Sequence, residues 1–208
     1  MAWHNDQVSE KETEKILEIA RECLAFPGDF VEMGCYKGDT SLLLAEVIRN
    51  DARLTDGKLV EKPVEKYAKK LWIYDSFEGL PEKRTEDESA LGTDFKGGEL
   101  FVTKREVKER FLRAGLPVPV IKKKWFAELT SEDLPDRIAF AFLDGDFYES
   151  IRDSLLKIDG KLSEGAVVMV HDYNNPALPG VKKAVDEWLV RKSLRLDIDQ
   201  SMAVIEGF

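Results

Sequence analysis

The chain has 208 residues, 43% hydrophobic and 34% charged, with a net charge of −9. That is enough apolar material for one core, and it argues against disorder. The acidic balance excludes nucleic acid as the main partner, because phosphate binding calls for a basic face. No apolar run reaches membrane-spanning length, the N-terminus is polar rather than a signal sequence, and Cys23 and Cys35 match no zinc spacing. A cytoplasmic protein with no membrane partner is expected.

In chain order, the first predicted element is a helix over Ser9–Ala25. Ser9 and Glu12 make a capping-box pattern. Ile16, Ile19, Ala20, Cys23 and Leu24 share one face at helical spacing, and Pro27 and Gly28 end the run. Segment 1–27 is read as an N-terminal helical extension whose amphipathic helix is a candidate homodimer interface. His4 falls in the polar tail before it and is expected to be exposed and inert.

Apolar runs then predict strands at 30–33, 71–75, 118–121, 138–144, 166–170, 194–199 and 202–208. Helical patterns fall between most of them, at 41–49, 104–114, 150–158 and 181–192. This alternation implies βαβ units in one domain over 1–208, an α/β fold with a mostly parallel sheet and helices on both faces. The last two strands are too close for a crossover helix, so they form an antiparallel hairpin. Residues 50–70 read as a charged surface connection. Residues 81–103, polar and glycine-containing, have the length of a mobile lid or binding loop.

The stretch "VEMGCYKGDTS" joins the first core strand to a helix through the pattern E-x-G-x-x-x-G, with glycines at Gly34 and Gly38. Glycine there permits close backbone approach, and the helix start offers free N–H groups. The alternative is a tight turn with no ligand. The nicotinamide fingerprint G-x-G-x-x-G is absent, since Tyr36 stands where its second glycine belongs. The next strand ends "YDSFEGLP", which puts Asp75 at a tip where an acid can accept from ribose hydroxyls. Asp75 or Ser76 would otherwise serve as a helix cap. Two carboxylates, Glu32 and Asp75, beside a glycine turn suit a cofactor with a ribose and a positive group, and suit a pyrophosphate poorly. That favours S-adenosyl-L-methionine over NAD.

Later strands end in "FLDGDFYES" and "VMVHDYNNP". If they are neighbours, Asp144, His171 and Asp172 converge at the sheet edge where α/β folds bind ligands. Carboxylates with one imidazole suit a divalent cation, and the imidazole shifts preference toward transition metals. The competing reading makes Asp146 and Asp172 caps of the following helices. Trp125 and Phe126 follow the third parallel strand, where an adenine can stack or where they simply pack in the core. The preceding lysines, 122–124, read as a solvated strand end.

The strings "VEMGCYKGDTS", "YDSFEGLP", "LDGDFYES" and "HDYNNPALPGVKKAVDEW" together resemble the TylF-type macrocin O-methyltransferases, over about residues 30–190. The resemblance implies a Rossmann-like class I methyltransferase fold with a seven-stranded sheet, S-adenosyl-L-methionine as cofactor, a divalent cation that is usually Mg²⁺, and a small-molecule hydroxyl acceptor such as a sugar. It places Glu32 and Gly34 on the methionine part of the cofactor, with Tyr36, Gly38, Thr40 and Ser41 in the same turn. Asp75 and Ser76 fall on the ribose; by their place in the chain rather than by the resemblance, Trp125 and Phe126 are expected near the adenine and Asp144 beside both cofactor and metal. Asp144 and Asp172 become metal ligands and Asp146 a candidate base. The family usually has two aspartates where this chain has His171 and Asp172, so His171 is a ligand, a determinant of metal preference, or a base in place of the metal. The rival expectations are a metal-independent methyltransferase with His171 as base and a non-catalytic cofactor-binding protein. A nicotinamide dehydrogenase is more distant.

Overall fold

The computed structural model describes residues 7–51, 54, 55, 58, 59, 69–91 and 95–208. His4 and most of the charged connection over 50–70 lie outside the described residues. In chain order the elements are α1 (Glu10–Cys23), β1 (Asp29–Met33), α2 (Asp39–Asp51), β2 (Leu54–Thr55), β3 (Lys58–Leu59), β4 (Leu71–Asp75) and α3 (Lys104–Ala114). There follow β5 (Val120–Lys123), β6 (Ile138–Leu143), α4 (Tyr148–Ile158), β7 (Leu162–Val170), α5 (Pro179–Leu189), β8 (Arg195–Asp199) and β9 (Met202–Glu206).

Seven strands form one sheet in the order β5-β4-β1-β6-β7-β9-β8, while β2 and β3 pair separately as a small antiparallel hairpin. β1 pairs in parallel with β4 on one side and β6 on the other. The direction in which the chain crosses the sheet therefore reverses at β1, which opens a crevice beyond the carboxyl ends of β1, β4 and β6. The expected hairpin is present. Its second strand, β9, inserts between β7 and β8 and runs antiparallel to both.

The side-chain period of two divides the strands between two cores. Phe30, Ile73, Phe140, Phe142 and Met169 face α1, α2 and α3. Val31, Met33, Tyr74, Ala141, Leu143 and Val168 face α4 and α5. Burial on both faces explains why these strands read as unbroken apolar runs. Each large apolar side chain buried in this way contributes about 1.5–3 kcal/mol relative to exposure.

α1 starts with the expected capping box of Ser9 and Glu12. Its stripe of Ile16, Ile19, Ala20 and Cys23 packs into the first core. The apolar face on which the dimer expectation rested therefore points inward. α5 ends at Leu189, short of the expected Lys192, because the chain turns through Arg191 at φ 66°.

The loop over 81–103, expected to be a mobile lid or binding loop, makes several hydrogen bonds through its described part. Leu80 N–H donates to the Glu99 carbonyl and Gly98 N–H to the Leu80 carbonyl, both at 2.8 Å. Ser89 Oγ donates to the Pro176 carbonyl at 2.8 Å. The Asp87 carboxylate, 1% exposed, accepts from Tyr148 N–H at 2.7 Å. Exposed pairs such as Arg84–Glu149 add little.

Candidate functional site

The tips of β1, β4, β6 and β7 open on a cavity of about 400 Å³. Of the residues expected to bind cofactor or metal, Glu32, Gly34, Tyr36, Thr40, Asp75, Ser76, Trp125, Phe126, Asp144, His171 and Asp172 line it, as does Asp146, the candidate base. Gly38 and Ser41 do not line it and support the turn from behind. Gly38 N–H closes the turn onto the Cys35 carbonyl at 2.6 Å, and Ser41 Oγ donates to Glu32 Oε2.

Gly34 has φ +88°, and a Cβ there would overlap the Asp144 carbonyl. Glycine is thus demanded by the close approach of β1 and β6, which brings the two tips together. Gly34 N–H continues the ladder onto the Tyr74 carbonyl, and Asp144 N–H continues it onto the Met33 carbonyl. Asp39, at the start of α2, pairs with Arg110, whose guanidinium also donates to the Lys37 carbonyl at 2.6 Å. α3 is thereby fixed to the turn.

Asp75 has a structural task that sequence alone did not disclose. Its Oδ2 accepts from Cys35 N–H at 3.0 Å and Tyr36 N–H at 3.3 Å, and its Oδ1 from Phe77 N–H at 2.7 Å. It anchors the glycine turn while one flank stays on the cavity. Ser76 Oγ donates to the Gly79 carbonyl and accepts from Glu78 N–H, so its hydroxyl serves the turn. Neither residue caps a helix.

Glu32 is 1% exposed. Burial pushes its carboxyl well above the usual range, against the Ser41 hydrogen bond, and the charges of Asp144, Asp75 and Asp39 push it further. Such a site is relieved by a cationic ligand.

On the other side, His171 Nδ1 lies 3.1 Å from Asp144 Oδ1 and 3.0 Å from Asp172 Oδ2. One ligand atom from each of these three residues falls within 4.8 Å of the others. Burial alone would lower the His171 pKa. The Asp144 charge and the contacts with Asp144, Asp172 and Glu12 outweigh that and raise it far above the ordinary value.

Asp146 lies beside this cluster at φ 61°, and Asp172 is at φ 59°. Burial and the charges of Asp144 and Asp172 push the Asp146 carboxyl well up. Neither acid caps a helix. The N-cap of α4 is Phe147, whose side chain makes no cap bond, and Asp172 Oδ1 accepts from Asn175 Nδ2 at 2.8 Å. Lys122 and Lys124, read as a solvated strand end, both reach Asp133, at 3.2 and 2.7 Å.

Gln7, Val8 and Asn175 also line the cavity, and Glu12 faces the far edge of His171. None of these was singled out for the site from sequence. For Glu12 the only signal was the capping box.

The family model described as macrocin-O-methyltransferase (TylF) matches residues 10–205. A Streptomyces olivaceus protein named 8-demethyl-8-(2,3-dimethoxy-alpha-L-rhamnosyl)-tetracenomycin-C 4'-O-methyltransferase is 30% identical over 168 residues, covering 78% of this chain and 58% of its own length. Demethyldecarbamoylnovobiocin O-methyltransferase of Streptomyces niveus is 28% identical over 186 residues, covering 84% of this chain and 65% of its own. The chain thus spans about three fifths of the length of the curated relatives it matches. Among solved structures, the O-methyltransferase NovP superposes with a TM-score of 0.72 at 28% identity, over 91% of this chain and 78% of that one. The calicheamicin methyltransferase CalS11 shares the fold, with a TM-score of 0.73 at 18% identity over 96% and 80%. No helix among the described residues is long and apolar enough to cross a membrane. With its mostly parallel seven-stranded sheet and reversed β9, this chain belongs to the TylF macrocin-O-methyltransferase family and has the class I methyltransferase fold.

Proposed function

We propose that the chain is an S-adenosyl-L-methionine-dependent O-methyltransferase acting on a hydroxyl of a small molecule. A sugar is the favoured acceptor, because the Streptomyces olivaceus relative is named for methylating a rhamnosyl group. The observation that carries the reading is the acid-lined cavity at the β1 switch point, with Glu32 buried at its floor. It suits a cofactor that bears positive charge. Glu32 and the turn over Gly34–Tyr36 would hold the methionine part, Asp75 the ribose and Trp125 with Phe126 the adenine. S-adenosylmethionine, when bound, supplies an electrophilic methyl group on a sulfonium.

The donor set also fits a divalent cation. His171 Nδ1 lies 3.1 Å from Asp144 Oδ1 and 3.0 Å from Asp172 Oδ2, and two carboxylates with one imidazole are a donor set that divalent ions take. Asp144, Asp172 and His171 would hold it, and it would lower the pKa of a coordinated hydroxyl. Asp146 would accept the proton of the acceptor hydroxyl as that oxygen takes up the methyl group. Burial and the charges of Asp144 and Asp172 raise the Asp146 carboxyl, which makes its carboxylate a stronger proton acceptor than an exposed one. The cavity would hold acceptor and cofactor together, and such positioning supplies much of the acceleration in a group transfer. Phe95 and Leu100, from the tied loop, wall the cavity from water. Two free buried thiols suit a reducing, cytoplasmic setting.

The contacts of His171 Nδ1 with both carboxylates, at 3.1 and 3.0 Å, equally favour a metal-free version of the same reaction. A proton on His171 Nδ1 would be shared with Asp144 and Asp172, so the imidazolium would itself supply the positive charge at this place, with Asp146 still the base. The test is incubation with S-adenosylmethionine and a panel of glycosides and phenols, with product and S-adenosylhomocysteine read by mass spectrometry, with and without a chelator. Methylated product supports the enzyme reading, and its loss in chelator supports the metal. Cofactor binding without transfer to any acceptor would leave a binding protein.

A further inference from the structure

Glu12 has a complete local explanation as the third helical residue of a capping box, yet the structure gives it more to do. It is 7% exposed. Ser9 N–H and Oγ donate to its Oε2 at 3.1 and 2.6 Å. Its Oε1 accepts from Ser201, N–H at 3.3 Å and Oγ closer, in the turn between β8 and β9. The carboxylate is thus held by its own helix cap and by Ser201, 189 residues further along the chain. What it faces is His171. Oε2 lies 3.8 Å from Nε2, an ion-pair contact longer than a hydrogen bond. Nε2 is fully buried and has no hydrogen-bond partner among the described residues.

We propose that Glu12 is a positioning residue of the site, holding the Nε2 edge of His171 so that the ring presents Nδ1 to Asp144 and Asp172. The imidazole lies between one carboxylate on its Nε2 side and two on its Nδ1 side. Turning the ring over would point carbon atoms at both sets, so the charges on the two edges favour the same orientation. If a metal binds, Nε2–H facing a carboxylate leaves the Nδ1 lone pair for the ion, an arrangement common in histidine metal ligands. If none binds, the same orientation keeps Nδ1 between the two aspartates. α1 would then be part of the site, although none of its residues lines the cavity.

Glu12→Gln separates this role from capping, because glutamine also completes a capping box. The chain has only two histidines, so removing His4 assigns the His171 ring signals. The experiment compares wild type and Glu12→Gln by ring-nitrogen NMR, thermal melting and Mn²⁺ titration. The expected result is a melting temperature near that of wild type, shifted His171 ring-nitrogen resonances, and a loss of Mn²⁺ affinity of about 10–100-fold, the usual cost of removing a carboxylate behind a metal-bound histidine. Unchanged resonances and unchanged Mn²⁺ affinity would overturn the proposal. The Mn²⁺ measurement rests on the metal reading above. If wild type binds no Mn²⁺, that reading fails, and the ring resonances alone decide, a shift supporting the positioning role and no shift refuting it.

Discussion

The carboxylate of Asp87 caps helix α4 from a distant loop, accepting from the Tyr148 N–H at 2.7 Å across 61 residues of sequence. Its other oxygen accepts from Arg84 N–H at 3.1 Å. Gly180, in the first turn of α5, has no room for a Cβ because the same carboxylate fills that space. One side chain therefore hydrogen-bonds the cavity-side loop to α4 and packs closely against α5. Asp87→Ala removes an N-terminal cap, worth about 0.5–2 kcal/mol. For a chain of this size each kcal/mol moves the melting temperature by about 2–4 °C. Thermal melting should show that drop, and Asp87→Asn, which keeps an acceptor, should recover much of it. An alanine variant that melts with wild type would show the cap to be inert.

Asp75→Ala should affect two properties at once. It removes the acceptor for Cys35, Tyr36 and Phe77 N–H, and it removes a carboxylate from the cofactor cavity. Loss of hydrogen bonds to a charged group costs about 1.5–3 kcal/mol each, before the turn relaxes. Calorimetric affinity for S-adenosylhomocysteine should fall by tenfold or more, on the order of 1.4 kcal/mol per factor of ten. Asp75→Asn should bind better than alanine, because its amide oxygen still accepts from the turn. Equal affinity in wild type and alanine would remove Asp75 from the cofactor site.

The convergence of Asp144, His171 and Asp172 was legible in the sequence for a simple reason. Two consecutive apolar runs joined by a helix make neighbouring parallel strands, and the residues after each run share one sheet edge. Glu32 and Asp75 were legible in the same way. What the sequence hid was reach across the fold. Glu12 and Asp87 look locally satisfied or merely exposed in a linear reading, and nothing at their positions names Ser201, His171 or Tyr148. Asp146 failed as a cap because the chain passes through a left-handed turn before α4, leaving Phe147 at the N-cap. Gly34 was read as a point where a ligand comes close, and the group that leaves no room for a Cβ there is the Asp144 backbone.

The cysteines set an alkaline limit on stability. Burial pushes the Cys23 thiol up to about 12, against an unfolded value of about 8.5. The folded chain holds that proton while the unfolded chain releases it. The contribution is therefore intact below about pH 8.5 and is lost as the pH climbs toward 12, at about 1.4 kcal/mol per pH unit. Cys35 is shifted the same way, by burial and by Asp75 and Glu32. Urea unfolding at pH 8 and pH 10 should show a smaller loss in Cys23→Ala than in wild type. Identical slopes would mean that the Cys23 thiol ionises as readily in the fold as out of it.

Asp146→Asn tests the base with little disturbance of the fold. Asp146 sits at φ 61°, a region that asparagine enters as readily as aspartate and that alanine resists. The amide has nearly the same shape and keeps one acceptor oxygen, but it cannot take a proton. If Asp146 removes the acceptor's proton, kcat should fall by about 10²–10⁴-fold, the range for loss of a general base. Cofactor affinity should change little, because Asp146 lies beside the metal cluster and is not among the residues assigned to the cofactor. The substitution also removes a carboxyl that crowds Asp144 and Asp172, so the asparagine protein should be at least as stable as wild type. Lower kcat, unchanged cofactor affinity and undiminished melting temperature together place Asp146 in the proton transfer. Unchanged kcat would take the base role from Asp146.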